Sequence, residues 1–294
     1  MKIRSIIRGA LMLVPALALM QLSASAQHTF NNAVSQYYRD GFLWNPAMAG
    51  AEGTRFYGLV NSAWAGFDGS STQAGLSWDM KLSEHMGIGV NLASSSAAAF
   101  RRYAGAFSYA YDLTFNQNTG LRIGADLSLY KEHLDSKELV SGGQVDPVAS
   151  SFNEKGVHFD GDLGAQLHSG GLNIGAVGYN LGRMFKNGDD RESDLQIAQL
   201  ESSYRFALSN EKLSLTPLLA YKLFTRADDI FLVATQFAYD GIFHTSLYWE
   251  STGSVMGGLG FLVKDFGEVN FFYTSKNKYG YHEQYEVGLK IKLK

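Results

Sequence analysis

About fourteen times along this chain, some ten residues alternate between apolar and polar and then give way to a turn. After residue 26 there is no run of about 20 apolar residues, the length a membrane-spanning helix needs. In hydrocarbon every backbone N–H and C=O must find its partner within the protein, so only helices and closed barrels cross a bilayer. The pattern therefore predicts an all-β fold, a transmembrane antiparallel β-barrel of about 14 strands. A soluble β-sandwich would share the alternation with its apolar face turned inward.

The alternation places strands near Arg55–Ala63, Ser71–Met80, Met86–Ser95, Arg102–Asp112, Gly120–Lys131, Val157–His168, Gly171–Asn180, Leu195–Ala207, Lys212–Lys222, Asp229–Asp240, Ile242–Ser251, Ser254–Lys264, Gly267–Ser275 and Glu283–Leu293. In the last of these, Tyr285, Val287, Leu289, Ile291 and Leu293 share one face, and Glu286, Gly288, Lys290 and Lys292 the other. Leu121, Ile123, Ala125, Leu127 and Leu129 alternate in the same way with Arg122, Gly124, Asp126, Ser128 and Tyr130. An apolar lipid face and a charged lumen face generate this code.

Loop lengths separate barrel from sandwich. If the first strand rises from the periplasm, the inner connections Lys81–His85, Ser169–Gly170, Ser209–Asn210, Asp240–Gly241 and Asp265–Phe266 are short, whereas Glu132–Gly156 and Leu181–Asp194 are long and polar on the outer side. Leu113–Thr119 is an inner connection longer than a tight turn. Aromatics gather at strand ends, Trp78, Tyr111 and Tyr239 on the inner side and Tyr130, Tyr179, Tyr221 and Trp249 on the outer, where interfacial girdles lie. Pro217 falls inside the ninth strand and requires a bulge or a missing ladder bond there.

Before the barrel stands an export signal. Lys2, Arg4 and Arg8 form a basic region, Ala10 to Met20 an apolar one, and Ala24-Ser25-Ala26 a small-residue cleavage site before Gln27. The sequence thus divides into a signal peptide at 1–26, an N-terminal periplasmic or plug segment at 27–54 and an outer-membrane β-barrel at 55–294. Removing the signal takes away three basic and no acidic residues and moves the net charge from −3 to −6, which argues against nucleic acid as a partner. Cysteine is absent, so stability comes from sheet closure and the bilayer, not from disulfides.

Two stretches stand apart from the strand pattern, the first of them matching neither helix nor strand period well. One runs Gln36-Tyr37-Tyr38-Arg39-Asp40-Gly41-Phe42-Leu43-Trp44-Asn45-Pro46-Ala47-Met48-Ala49-Gly50, and something other than lipid must cover Tyr37, Phe42 and Trp44. This segment either faces periplasmic partners or folds into the lumen. The other, Trp64-Ala65-Gly66-Phe67-Asp68-Gly69, lies at the first outer connection, where its glycines either present two rings to a partner or permit a turn that tucks them against the girdle.

In these stretches the sequence resembles the PorP/SprF family of type IX secretion system membrane proteins. Ser35-Gln36-Tyr37, Asn45-Pro46-Ala47 and Ala49-Gly50 match the family's opening, and Trp64, Gly66, Gly69, Thr72, Ser77 and Asp79 match its next block in order and spacing. The likeness continues to His282-Glu283, while Ser70-Ser71 and Tyr38-Arg39-Asp40 depart from the usual residues. The resemblance implies an integral outer-membrane protein that docks or anchors secreted surface proteins, such as the adhesins of gliding motility in Bacteroidota-type bacteria. The implied partners are type IX secretion components on the periplasmic side, the C-terminal targeting domain of a secreted protein on the outer side, and outer-membrane lipid. No cofactor is implied. Partner-contacting residues are expected at Gln36, Tyr37, Phe42, Trp44, Asn45, Pro46, Gly50, Trp64, Gly66, Phe67, Asp68 and Gly69.

Two other classes compete. An enzyme needs nucleophile, base and orienting group together, but His28, His85, His133, His158, His168, His244 and His282 are scattered, with no nucleophile elbow or zinc-binding helix motif around them. A passive, porin-like diffusion channel would have Lys290, Lys292, Arg122, Asp126 and Glu286 lining its pore.

Overall fold

The computed structural model describes residues 35, 37–63, 70–135, 140–141, 144–145, 147–154, 156–184, 196–208, 212–225, 227–264, 266–276 and 283–293. The expected signal peptide, Gln36, the 64–69 block and most of the second long loop lie outside the described residues.

Fourteen wall strands follow one another around a closed antiparallel barrel: β1 (Arg55–Ala63), β2 (Ser71–Lys81), β3 (Met86–Ala97), β4 (Phe100–Asn116), β5 (Thr119–Leu134), β6 (His158–Asp160 continued by Leu163–Ser169), β7 (Leu172–Gly178), β8 (Gln196–Tyr204 continued by Phe206–Leu208), β9 (Leu213–Phe224), β10 (Ile230–Tyr239), β11 (Phe243–Glu250), β12 (Val255–Val263), β13 (Gly267–Thr274) and β14 (Gln284–Lys292). Each strand pairs with its neighbours in sequence. The first and last close the ring, from Arg55 opposite Lys292 to Ala63 opposite Gln284. No edge is left along this seam, as hydrocarbon demands.

The faces follow the predicted alternation. On β14, Glu286 and Lys290 are buried inside while Tyr285 and Val287 are exposed outside. Leu127 and Phe159, each 65 % exposed, belong to an apolar outer surface that encircles the wall. A surface of this extent fits lipid and not water, which settles the choice between barrel and sandwich.

The inner turn between β10 and β11 is tight. Asp240 and Gly241 both take positive φ, 50° and 67°, as a two-residue hairpin turn matched to strand twist requires. Three expectations need correction. The residues 113–119 are not a loop: β4 and β5 run on to Asn116 and Thr119, with a bulge between Thr114 and Asn116, and leave only Gln117–Asn118 as the turn. Strand β5 also extends to Leu134, shortening the first long loop. There, Asn153 of the helix Pro147–Asn153 donates to Leu134 O at 2.8 Å and accepts from Leu134 N at 2.7 Å, covering the strand's open edge. Tyr130 and Tyr179 do not join a girdle: they share parity with Arg122 and Val177 and point into the lumen, each 4 % exposed.

Pro217 stays in register with Thr235 of β10, and its missing N–H falls on the other side. There β8 is interrupted between Tyr204 and Phe206, and Arg205 N donates instead to Gly171 O at 2.8 Å.

The core is the lumen itself, and it is filled by the chain's own residues 35 and 37–52. Four inward glycines of the wall give this segment room. A Cβ at Gly89 would lie 2.3 Å from the Phe42 ring, at Gly124 2.5 Å from Ala47 N, at Gly164 2.0 Å from Asn45 Oδ1 and at Gly87 2.1 Å from Ala49 O. Replacing Gly124 with Ala is expected to lower stability by about 1–3 kcal/mol, since the segment and wall must part. Outward-facing Gly257, around which an added Cβ meets nothing within 4 Å, should accept the same change without loss. Thermal unfolding in detergent followed by circular dichroism would compare the two.

Candidate functional site in the plugged lumen

Local chemistry shapes the plug before any wall contact is made. Asp40 accepts from Phe42 N at 3.2 Å and starts a 3-10 turn at Gly41–Leu43. Asn45 repeats the device by accepting from Ala47 N at 3.0 Å, with Pro46 in the first position of the turn Pro46–Met48. Gly50 then takes φ +68°, where a Cβ would lie 2.5 Å from Met80 O. The Asn-Pro-Ala and Ala-Gly pairs of the sequence are therefore a cap, a turn start and a left-handed exit.

The wall grips this shape with charge and hydrogen bonds at the inner end. Arg55 is central, 1 % exposed: Nε donates to Asp79 Oδ1 at 2.7 Å, Nη2 lies 3.0 Å from Asp40 Oδ1, and Nη1 lies 2.8 Å from Glu52 Oε1. The second oxygen of Asp79 accepts from Gly50 N at 2.7 Å. Arg122 donates from Nε to Ala47 O at 2.8 Å and from Nη2 to Ala49 O at 2.7 Å, and it is steadied by Asp112 at 3.1 Å. Lys290 donates to Arg39 O and to Glu52 Oε2, both at 2.8 Å. Arg39 in turn donates to Glu268 at 2.7 Å and to His244 Nδ1 at 2.9 Å, which leaves Nε2 of that histidine to donate to Asn270 Oδ1 at 2.8 Å.

Higher in the lumen the grip becomes apolar and aromatic. Trp44 packs on Leu218, Ala220, Leu232, Ala234, Tyr248, Met256 and Phe272, all buried and all facing inward from β9 to β13. The lumen face is thus not uniformly charged, because on this side it meets an indole and not water. Tyr179 donates its hydroxyl to Trp44 O at 2.6 Å, and Lys222 Nζ lies 5.9 Å from the Trp44 ring centroid. Tyr37 stands edge-on to Trp44 at 5.5 Å. Burial, and after it the Glu201 carboxylate, push the pKa of the Tyr37 hydroxyl up, so it remains a neutral donor. Beside the plug is a cavity of about 230 Å³ walled by Trp44, Arg102, Asp126, Tyr130, Asp162 and Tyr179.

Among the residues expected to contact partners, Tyr37, Phe42, Trp44, Asn45, Pro46 and Gly50 come together in this plug, and all but half-buried Tyr37 are buried. Gln36 and Trp64, Gly66, Phe67, Asp68 and Gly69 lie outside the described residues. Arg122, Lys290 and Glu286, which would line an open pore in the channel reading, bind plug atoms instead. Arg55 and His244 carried no signal of this role in the sequence, and Tyr179 was read there as a girdle residue. The inward glycines 87, 89, 124 and 164 did carry one, since alternating glycine on a lumen face marks a close backbone approach. Among the described residues no group of three or more histidine and acidic side chains is placed to hold a metal ion.

A closed antiparallel wall with an apolar outer band and a filled polar lumen defines an integral outer-membrane β-barrel. The chain belongs to the PorP/SprF family of type IX secretion system membrane proteins, whose model matches residues 26–287. A search of curated proteins returned no match. Among solved structures, the outer membrane protein Omp33 of Acinetobacter baumannii is similar in fold at 8 % identity and a TM-score of 0.51, covering 82 % of this chain and 98 % of that one. The toluene transporter TodX of Pseudomonas putida aligns at 12 % identity and a TM-score of 0.47, covering 91 % and 94 %. At such identities the likeness concerns fold alone. Family and fold are those of a secretion-system barrel and not of an enzyme.

Removing the Arg55 side chain would strand Asp40 and Asp79, both 0 % exposed. Arg55→Ala is therefore expected to lower stability by about 3–5 kcal/mol, and Arg55→Lys by less, in a thermal melt. Glu52 supplies a pH dependence. Burial opposes its ionisation, but Lys290 and Arg55 outweigh that and hold its pKa at about 2 instead of 4.5. Its contribution is then complete above about pH 4.5 and lost as pH falls toward 2, and Glu52→Gln should flatten that part of the melting profile.

Proposed function

We propose that this protein is a docking or anchoring platform of the type IX secretion system, holding secreted surface proteins such as adhesins at the outer membrane. The observation that carries this reading is the filled lumen. A barrel of about 14 strands is narrower than the porins of 16 to 18 strands that hold open channels, and this one is occupied by Phe42, Trp44 and their neighbours, so work on a folded protein falls to its two rims.

In this reading a signal peptide at 1–26 directs export and is removed, residues 27–54 form the plug, and 55–294 form the barrel. The outer rim, with the connections 135–157 and 179–195, meets the C-terminal targeting domain of the secreted protein. Trp64, Gly66, Phe67, Asp68 and Gly69 belong to that contact. The inner rim meets periplasmic secretion components. Tyr37, Phe42, Trp44, Asn45, Pro46 and Gly50 serve it from within by holding the plug in the barrel, and Gln36 belongs to the same contact.

Purification of the tagged protein from its native outer membrane in mild detergent, followed by mass spectrometry, tests the reading. Type IX components or a C-terminal targeting domain should co-purify, and Trp64→Ala should assemble normally while losing the secreted partner by tenfold or more. Repeated recovery of the barrel alone, with steady conductance in planar bilayers, would favour the diffusion channel. The plugged wild type is expected to conduct little, and deletion of Phe42–Gly50 to raise conductance if the wall survives.

A further inference from the structure

On the lipid-facing side of β1 to β5 the apolar band ends in the same way on strand after strand. Going outward, Val60 gives way to Ser62 on β1, Ala74 to Thr72 on β2, Leu92 to Ser94 and Ser96 on β3, Tyr103 to Arg101 on β4, and Leu129 to Lys131 and His133 on β5. Register gathers the basic residues. Arg101 lies opposite His133 and Tyr103 opposite Lys131, so Cβ atoms are about 5 Å apart across the Arg101–His133 pair and about 7–8 Å on the Arg101–Lys131 diagonal. Arg101 is held at the β3–β4 turn, where its guanidinium donates to Ala98 O and Phe100 O. The Lys131 and His133 side chains are exposed, and among the described residues neither has an ion-pair or hydrogen-bond partner. Glu132, between them, turns inward toward Arg102 at 3.8 Å. Within the described strands β1 to β5 no acidic side chain faces outward.

Beside this cluster the wall is hollowed. A groove of about 650 Å³ crosses β14 and β1 to β4, where the small residues Gly58, Ala74 and Ser94 stand among Leu76, Leu92 and Tyr103. Tyr103 joins the two features: it borders the groove, stands opposite Lys131 and is 58 % exposed. We propose that groove and cluster form one site for a membrane lipid carrying an anionic phosphate, with its acyl chain along the groove and its phosphate on Arg101, Lys131 and His133. This wall already faces hydrocarbon, so the phase around it supplies the chain. The basic groups stand just past the apolar band, where headgroups lie, and their stems can run along the wall while the charges reach the phosphate. Guanidinium and ammonium donate to phosphate oxygens, and the imidazole offers an N–H in either protonation state. With no outward carboxylate on these strands, the charge of the site favours an anionic lipid over a neutral one. The inference goes beyond the docking reading and stands without it, because orientation decides only which leaflet supplies the lipid.

Native mass spectrometry of the delipidated full-length protein in detergent reads the site. Dipalmitoylphosphatidylglycerol should bind, and dipalmitoylglycerol, with the same chains and no phosphate, should bind at least about tenfold more weakly. Arg101→Gln, Lys131→Gln and His133→Gln together should abolish that preference, whereas Lys276→Gln, between β13 and β14, should leave it intact. Ala74→Leu with Ser94→Leu fills the groove without touching the cluster and should weaken phosphatidylglycerol binding by about tenfold. Equal binding of the two lipids, or a preference that survives the triple substitution, would overturn the proposal. So would undiminished binding to the groove-filled variant, or displacement of the lipid by inorganic phosphate, since either reduces the cluster to a site for a free anion. Circular dichroism shows whether each variant is folded. If the triple variant is not, Lys131→Gln alone decides, with an expected loss of preference of about fivefold and an unchanged preference as the contrary result.

Discussion

Closure of the wall is the constraint from which the rest follows. Inside a bilayer an unpaired strand edge leaves a row of N–H and C=O groups with no solvent to bind, at several kcal/mol for each group. The seam between β1 and β14 removes that edge, and it brings Arg55 and Lys290, on neighbouring strands from opposite ends of the chain, to the inner rim of one lumen. A closed ring of this size encloses more space than its own side chains fill, and the segment preceding β1 occupies the remainder.

How the segment is held differs between its two sides, and the difference has a physical basis. Toward β9–β13 it presents the Trp44 ring, and the wall answers with leucine, alanine, methionine and aromatic side chains. Toward β2–β6 it presents backbone together with the Asn45 amide and the Phe42 ring; the wall answers the backbone with Arg122 and Asp79, the amide with Gln166, and both backbone and ring with glycine. Exposed carbonyls such as Ala47 O and Ala49 O need donors once they leave water, and the guanidinium of Arg122 meets both while Asp112 balances its charge. A purely apolar lumen could not have accepted a segment without regular secondary structure.

The wall was legible in the sequence because its signal is local: Tyr285 and Val287 against Glu286 and Lys290 repeat every two residues, and that alone fixes strand and face. Where the local rule weakened, so did the reading. Thr114-Phe115-Asn116 lose the alternation because of the bulge, and so a continuous strand read as loop. Tyr130 and Tyr179 lie near strand ends, which suggested a girdle, yet their parity already placed them inside. The place of the plug was not legible. Asn45-Pro46-Ala47 announces a capped turn, but whether that turn sits in a lumen depends on Gln166, 121 residues away, and no short window encodes such a pairing. The nearest trace is the run of inward glycines, whose meaning needs the partner that approaches them.

Several grips on the plug join the beginning of the chain to its end: Ser35 to Glu286 and Arg39 to Lys290 are each separated by 251 residues. Contacts of that separation form late, because nearly the whole chain must be ordered before they are made. During export the plug-forming residues emerge first and their last partners emerge last, so Phe42 and Trp44 pass through a period with no lumen to enter. The finished barrel is consequently a product whose opening residues need shielding until its closing strand arrives, and a chain cut short before β14 would be left with both an open wall and an unseated plug.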